Sequence, residues 1–285
     1  MIWQCRMAPS LGSLENTPEE VWGTKPYKNR IELTVFFGLY DLRDYIALFR
    51  HKGTKAILWA GGDIENLIRG FVLNDGKLKW LSRILWGLPR VLSKKLAQVP
   101  NYVENDVERA KLERLGIHSK VVPSFLGKIE DFPVCYKHAD HPKVFISGHP
   151  GREKEYGFEF IEKIAKRVPE CYFGLYGAEW KSNLPNVRSF GKVSKERFNR
   201  EIRNYQCGLR PNTHDGFSEI TAKSILMGQW PITKIKYPHI SHYETDDELV
   251  DLLKGLKNEQ HPNYLARGYY ISAINKYPWN KYATK

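Results

Sequence analysis

The stretch Gly208-Leu209-Arg210-Pro211-Asn212-Thr213-His214-Asp215-Gly216-Phe217-Ser218-Glu219 runs on through Ile220-Thr221-Ala222-Lys223-Ser224-Ile225-Leu226-Met227-Gly228 to Trp230-Pro231-Ile232. It reads as a strand end, a polar glycine-containing loop, a helix and a second strand. A helix that starts after such a loop presents backbone N–H groups and the positive end of its dipole. That arrangement seats a phosphate or diphosphate, although the same pattern also describes an ordinary helix-strand connection. The choice depends on the rest of the chain.

Working outward, the same alternation recurs on both sides. Val144-Phe145-Ile146-Ser147 predicts a strand, Phe158 to Arg167 a helix, and Cys171-Tyr172-Phe173-Gly174-Leu175-Tyr176 a strand closed by Gly177. Val187-Arg188-Ser189-Phe190 is a short strand, and Ser194 caps a helix over Lys195–Tyr205. Helices are predicted over Asp246–Leu256 and Asn263–Asn275. Upstream, Leu33-Thr34-Val35-Phe36-Phe37, the helix Asp41–Arg50 and Lys55-Ala56-Ile57-Leu58-Trp59 form a βαβ unit, which implies a parallel sheet. Further helices are predicted over 64–73 and Asp106–Leu115, and strands over Gln98–Val103 and Lys120–Pro123. Residues 1–30 read as loop with a helical turn at Pro18–Val21, and 127–142 read as a linker.

The bulk numbers are compatible with this reading. The chain has 285 residues, 42% of them hydrophobic, enough for packed cores. No apolar run reaches the roughly 18 residues that span a bilayer. Cys5, Cys135, Cys171 and Cys207 are far apart and make no CxxC pair, so neither a zinc site nor a disulfide framework is expected. With no signal-peptide pattern in Met1-Ile2-Trp3-Gln4-Cys5-Arg6, a cytoplasmic setting is expected. The net charge of +12 favours anionic partners. Between Gly76 and Val103 there is no acidic residue, while Lys77, Lys79, Arg83, Arg90, Lys94 and Lys95 accompany Trp80, Trp86 and several leucines. Residues 77–95 therefore read as a core helix with a solvated basic face, as a peripheral helix at an anionic inner-membrane surface, or as a nucleic-acid surface.

Four further pieces carry a family resemblance. They are Gly151-Arg152-Glu153-Lys154, Gly174-Leu175-Tyr176-Gly177, Phe190-Gly191-Lys192-Val193, and Asp215-Gly216-Phe217-Ser218 leading to Gly228-Gln229-Trp230-Pro231-Ile232. In this order and spacing they resemble the C-terminal donor domain of GT-B glycosyltransferases, in particular the retaining group called family 4, over roughly residues 143–233. In the first half, Trp59-Ala60-Gly61-Gly62-Asp63-Ile64 and the run from Asp106-Val107-Glu108-Arg109 to Val121-Val122-Pro123 are similar to the acceptor domain. The chain departs from the family in having one extra residue between Gly228 and Pro231, a short Arg152-to-Lys154 spacing, and different residues at two positions. Where the family has two glutamates eight residues apart, it has Asp215 and Lys223, and a charged Lys223 cannot accept a hydrogen bond.

The resemblance implies an α/β fold of two Rossmann-like, doubly wound parallel-sheet domains facing a cleft, the first one abbreviated because no strand with a Gly-rich loop is read before Leu33. Expected boundaries are 1–130 for the acceptor side and 131–262 for the donor side, with a helix and tail over 263–285 expected to pack back on the first domain. The implied activity is transfer of a sugar from a UDP- or GDP-sugar to an acceptor hydroxyl, retaining and metal-independent, with no cofactor required. The acceptor is expected to be a saccharide or lipid-linked glycan. Two alternatives remain open, a DNA glycosyltransferase acting on hydroxymethylated pyrimidine and a non-catalytic nucleotide-sugar or glycan-binding relative. Arg152 and Lys154 are expected to bind the diphosphate, together with the backbone around Gly216, Phe217, Ser218 and Glu219. The competing reading for the two cations is a solvated surface pair. Asp63, His149 and Asp215 are the candidate catalytic groups: Asp63 to orient the acceptor hydroxyl or act as a base, Asp215 to bind sugar hydroxyls, His149 to touch donor or acceptor. Their alternatives are a cap for the helix at Ile64, a loop or N-cap role, and an exposed loop histidine. His214 is a weaker candidate.

Overall fold

The computed structural model describes residues 1–12, 14–69 and 88–283. They divide into two units. The first holds 1–127, 214–217 and 273–285, and the second holds 128–213 and 218–272.

In the first unit the parallel strands are β1 (Gln4–Met7), β2 (Lys25–Pro26), β3 (Thr34–Phe37), β4 (Lys55–Leu58), β5 (Asn101–Val103) and β6 (Ser119–Val121), in the order β2-β1-β3-β4-β5-β6. The helices are α1 (Pro18–Trp22), α2 (Leu42–Arg50), α3 (Gly62–Ile68), α4 (Leu88–Leu96) and α5 (Asp106–Glu113). The strands are apolar on both faces because both faces are covered. Phe36, Ile57, Trp59 and Val103 enter one core with Tyr45, Leu48, Ile64 and Leu112. Val35, Phe37 and Leu58 enter the other with Trp22, Tyr277 and Trp279. The C-terminal residues are thus part of this unit, with Tyr277 stacked on Trp279 at 4.6 Å and Trp279 meeting Tyr102 edge-on at 4.9 Å.

The second unit has β7 (Lys143–Ser147), β8 (Tyr172–Tyr176), β9 (Val187–Gly191), β10 (Cys207–Arg210), β11 (Ile232–Thr233) and β12 (Ser241–His242), all parallel, in the order β12-β11-β10-β7-β8-β9. Helices α6 (Phe158–Ala165), α7 (Lys195–Glu201), α8 (Glu219–Leu226), α9 (Asp246–Gly255) and α10 (Tyr264–Ala273) complete it, the last residue of α10 falling in the first unit. Phe158, Ile161, Ile164 and Ala165 of α6 pack on Val144, Ile146, Phe173 and Leu175, the helical spacing meeting the strand spacing. Ser194 accepts from the N–H of Arg197, capping α7.

Three expectations are corrected. The chain before Leu33 is not loop: β1 lies inside the sheet between β2 and β3. The strand escapes a hydrophobicity reading because its polar side chains find partners, Gln4 Oε1 accepting from the Lys28 backbone N–H at 2.6 Å and Arg6 pairing with the Asp44 carboxylate at 2.5 Å. With β1 and β2 the first sheet has as many strands as the second, so the first domain is not shortened in its sheet. Residues 127–142 are not a free linker either. Phe132 is buried, and the Cys135 and Tyr136 N–H groups both donate to the Met227 carbonyl, at 3.1 and 3.2 Å. Of the segment 77–95, residues 77–87 lie outside the described residues; Leu88–Leu96 is helical.

Trp279→Ala should destabilise the first unit by about 3–5 kcal/mol, the usual cost of emptying a buried aromatic site. Urea denaturation followed by near-ultraviolet circular dichroism measures this, and an unchanged midpoint would contradict the packing.

Candidate functional site

In a doubly wound sheet, ligands bind beyond the carboxyl ends of the strands where the strand order reverses. In the second unit that point lies between β7 and β10. The loop after β7 carries His149, Arg152 and Lys154. Arg152 makes a forked pair with Glu155, Nε to Oε2 at 2.7 Å and Nη2 to Oε1. Its guanidinium carbon also lies 5.5 Å from the centre of the Tyr156 ring. At the end of β10, Arg210 lies 4.8 Å from the centre of the same ring and donates from Nη1 to the Ser147 carbonyl at 3.5 Å. Two guanidinium groups thus bracket one aromatic ring at the switch point. Beside them Asn212 donates from Nδ2 to the Glu155 carbonyl at 3.3 Å, while its Oδ1 is buried with no hydrogen-bond partner among the described residues. Lys154 is largely exposed and 3.5 Å from Glu159. His149 is exposed, its Nδ1 3.0 Å from the Pro150 carbonyl.

Helix α8 follows, with Ser218 at its N-cap and no side-chain cap bond. Inside it Lys223 is buried, with Nζ 5.7 Å from the centre of the Phe132 ring, 5.4 Å from that of Phe198 and 3.9 Å from Glu219 Oε2. The ammonium is held by two ring faces and a carboxylate one turn away.

The first unit concentrates the opposite charge. Asp63 is fully buried, its Oδ2 accepting from Leu39 N at 2.9 Å and its Oδ1 from Ala60 N at 3.0 Å and Ile64 N at 2.9 Å. It ties the loop after β3 to the turn after β4. Burial pushes its carboxyl up to about 6, and the backbone donors pull the other way. Glu104 and Glu108, after β5 and in α5, are also buried. Glu104 Oε2 accepts from Phe217 N at 2.8 Å, and its Oε1 accepts from the Ser124 hydroxyl. Glu108 Oε2 accepts from Glu104 N at 3.2 Å. Asn105 donates from Nδ2 to the Asp215 carbonyl at 2.9 Å. Burial first, then the charges of Asp215 and Asp63, push Glu104 up to about 8. Burial, then Glu104, Asp63 and Asp215, holds Glu108 well above the ordinary range. Tyr40 is held up by burial and by the same four carboxylates. Among the described residues no group of three or more His, Cys, Asp or Glu side chains could hold a metal ion, and no helix is long and apolar enough to cross a membrane.

Asp63 and Asp215 therefore fall in one acidic cluster of the first unit, while His149, Arg152 and Lys154 share the loop after β7. The Phe217 N–H, expected among the diphosphate donors, is engaged by Glu104. Glu104, Glu108, Arg210 and Asn212 were not singled out by sequence reasoning. A usable signal existed for two of them: Glu104 sits between strand and helix as Asp63 does, and Arg210 ends a parallel strand.

No protein-family model and no curated protein sequence matches this chain. Among solved structures, a complex of S. aureus TarM with Fondaparinux, alpha-GlcNAc-glycerol and UDP superposes with a TM-score of 0.56 at 12% identity, over 84% of this chain and 52% of that one. The pneumococcal O-GlcNAc transferase GtfA, in complex with UDP and GlcNAc, gives 0.53 at 12%, over 86% and 54%. Sucrose-phosphate synthase from Thermosynechococcus elongatus gives 0.61 at 12%, over 85% and 69%. The chain spans about half the length of TarM and of GtfA. The likeness is one of architecture: the protein has the α/β fold of the GT-B glycosyltransferases, with two parallel six-stranded sheets.

The raised carboxyls fix a sign for pH dependence. A group whose folded value exceeds its unfolded one binds more protons when folded, so its stabilisation is complete at low pH and is lost as pH rises. Unfolding free energy should fall by about 1.4 kcal/mol per pH unit for each such carboxyl. For Asp63 the window runs from 3.8 to about 6, and for Glu104 from 4.5 to about 8. Denaturation at a series of pH values measures the slope; stability rising over pH 5–8 would overturn it. Gly61→Ala should also be strongly destabilising. Gly61 has φ of 84°, and an added Cβ would lie 2.7 Å from Gly216 N and 2.8 Å from the Asp215 carbonyl carbon.

Proposed function

We propose that this protein is a glycosyltransferase that moves a sugar from a nucleotide-sugar donor, a UDP- or GDP-sugar, to an acceptor hydroxyl, with retention and without a metal ion. The observation that carries the reading is the pair Arg152 and Arg210 on Tyr156, at the strand-order reversal of a GT-B fold. Breaking the bond between the anomeric carbon and the diphosphate oxygen puts negative charge on the leaving group. Guanidinium groups stabilise that charge by paired hydrogen bonds, and fixed donors placed before the reaction stabilise it most. Arg152 would turn from Glu155 to the diphosphate, with Arg210 and Lys154 beside it. The first backbone N–H groups of α8, from Ser218 and Glu219, complete the anion seat.

Asp215 accepts hydrogen bonds from sugar hydroxyls, and His149 contacts donor or acceptor. Asp63, with its three backbone donors, shapes the loops on the acceptor side. The acceptor is a saccharide or a lipid-linked glycan. The charge of +12 favours a second reading, transfer to hydroxymethylated pyrimidine in DNA. Lys223, standing at a position where the family has a glutamate, favours a third, binding without turnover.

Mass spectrometry of reactions with a panel of UDP- and GDP-sugars should show sugar transfer or hydrolysis, and Arg152→Ala and Arg210→Ala should each lower kcat/KM by about 10²–10³. Saturating UDP or GDP should raise thermal stability, by about 2.7 kcal/mol at one hundred times Kd. Binding without turnover would select the third reading, and neither binding nor turnover would sink the proposal. Duplex-DNA binding that falls steeply from low to moderate salt would select the second.

A further inference from the structure

We propose that Glu104 is a positioning residue for the segment His214–Phe217, and that Glu104 and Glu108 grip this segment only while the pair holds a proton. The link to donor handling rests on the glycosyltransferase reading, because Asp215 and Phe217 precede α8; the grip itself does not.

The geometry comes first. Two contacts hold the segment from the β5–α5 connection: Asn105 Nδ2 to the Asp215 carbonyl at 2.9 Å and Phe217 N to Glu104 Oε2 at 2.8 Å. Gly216 lies so close to Glu104 Oε2, and Gly61 so close to Gly216 and to Glu108 Oε1, that neither glycine has room for a Cβ. Glu104 and Glu108 are 6% and 2% exposed. Among the described residues neither makes an ion pair, and Glu108 Oε1 has no hydrogen-bond partner. A buried carboxylate oxygen without a donor is costly as an anion and far less so as the oxygen of an acid.

The surroundings are acidic on almost every side. Asp63 faces the pair from α3 and Asp215 from the segment itself. Tyr40 faces it from the loop after β3 and Tyr277 from the C-terminal residues, both held in the phenol form by burial and by these carboxylates. Tyr102 adjoins Tyr277, and Ser124 donates to Glu104. Lys111, further along α5, is paired with Glu65 at 2.5 Å, and Glu65 also feels His214. Two carboxyls in one buried site cannot both ionise without a large penalty, and they titrate as a pair. Glu104 pushed up to about 8 agrees with this. Loss of the last shared proton sets four negative charges together, and undocking the segment that carries Asp215 relieves the repulsion.

The test is amide hydrogen exchange at Phe217 in the full chain without ligand, as a protection factor from pH 6.5 to 9.5, with Phe36 as the control for global opening. In the wild type the Phe217 protection factor should fall by about tenfold per pH unit from pH 6.5 to about 8, because opening releases the proton, and level off above, staying below that of Phe36 throughout because the segment opens locally. Glu104→Gln keeps an accepting oxygen but has no proton to lose, and should stay within about twofold across the range. Should Glu104→Gln not fold, Glu108→Gln serves, with the same flattening expected. Constant wild-type protection, or a parallel fall in the glutamine variants, would overturn the proposal. For the donor link, the sugar-nucleotide KM should rise as pH climbs from 6.5 to about 8 in the wild type with kcat little changed, and stay flat in Glu104→Gln. Coincident KM profiles would remove the positioning role. A protein that turns over no sugar nucleotide would count against the glycosyltransferase reading alone, since the exchange result judges the grip without it.

Discussion

Parallel pairing of every strand is the constraint on which the molecule depends. A parallel neighbour can be reached only by a crossover that returns to the starting end of the sheet. Each crossover here that is a helix leaves an apolar stripe on a sheet face, and so the strands become apolar on both sides. The same constraint opens all carboxyl ends of a sheet toward one edge, where the connecting loops are free to be polar. Asp63, Glu104 and Asp215 gather at that edge of the first sheet, and Arg152 and Arg210 at that edge of the second.

The two edges differ in their electrostatics. The second unit's edge holds guanidinium groups beside a carboxylate, a carbonyl and an aromatic ring. The first unit's edge holds acids satisfied by backbone N–H groups, with no cation among the described residues to balance Glu104 or Glu108. An arrangement of this kind is stable because some of the acids keep their protons. The two regions thus differ in kind: guanidinium groups lie at one, and buried acids whose carboxyls burial pushes up lie at the other.

Most of the architecture was legible because the apolar runs are long and their periods clean. Val35 to Phe37, Ile57 to Trp59 and Val144 to Ile146 have no polar interruption, and the helices between them begin at caps such as Asp41, Asn105, Ser194 and Thr245. The strand Gln4–Met7 was invisible because its polar side chains find partners far along the chain, Arg6 at Asp44 and Gln4 at Lys28 and Asn29. The short edge strand Ser241–His242 has too few residues to show a period. In the candidate site, residue types could be read but partners could not. Asp63 was visible as a carboxylate after two glycines, yet its three backbone donors come from two loops and the helix that follows it. Glu104 was passed over because its partners, Phe217 and Ser124, lie 113 and 20 residues away.

Lys223 has a consequence for how such a chain can change. Its ammonium rests on the faces of Phe132 and Phe198 and near Glu219. A glutamate placed there alone would turn a carboxylate toward two electron-rich ring faces, which repel anions, and set it one turn from a second carboxylate. The four positions are therefore epistatic. Phe132, Phe198 and Glu219 suit lysine, and each disfavours a glutamate at this position. Lys223→Glu alone would lose both ring contacts and the ion pair with Glu219.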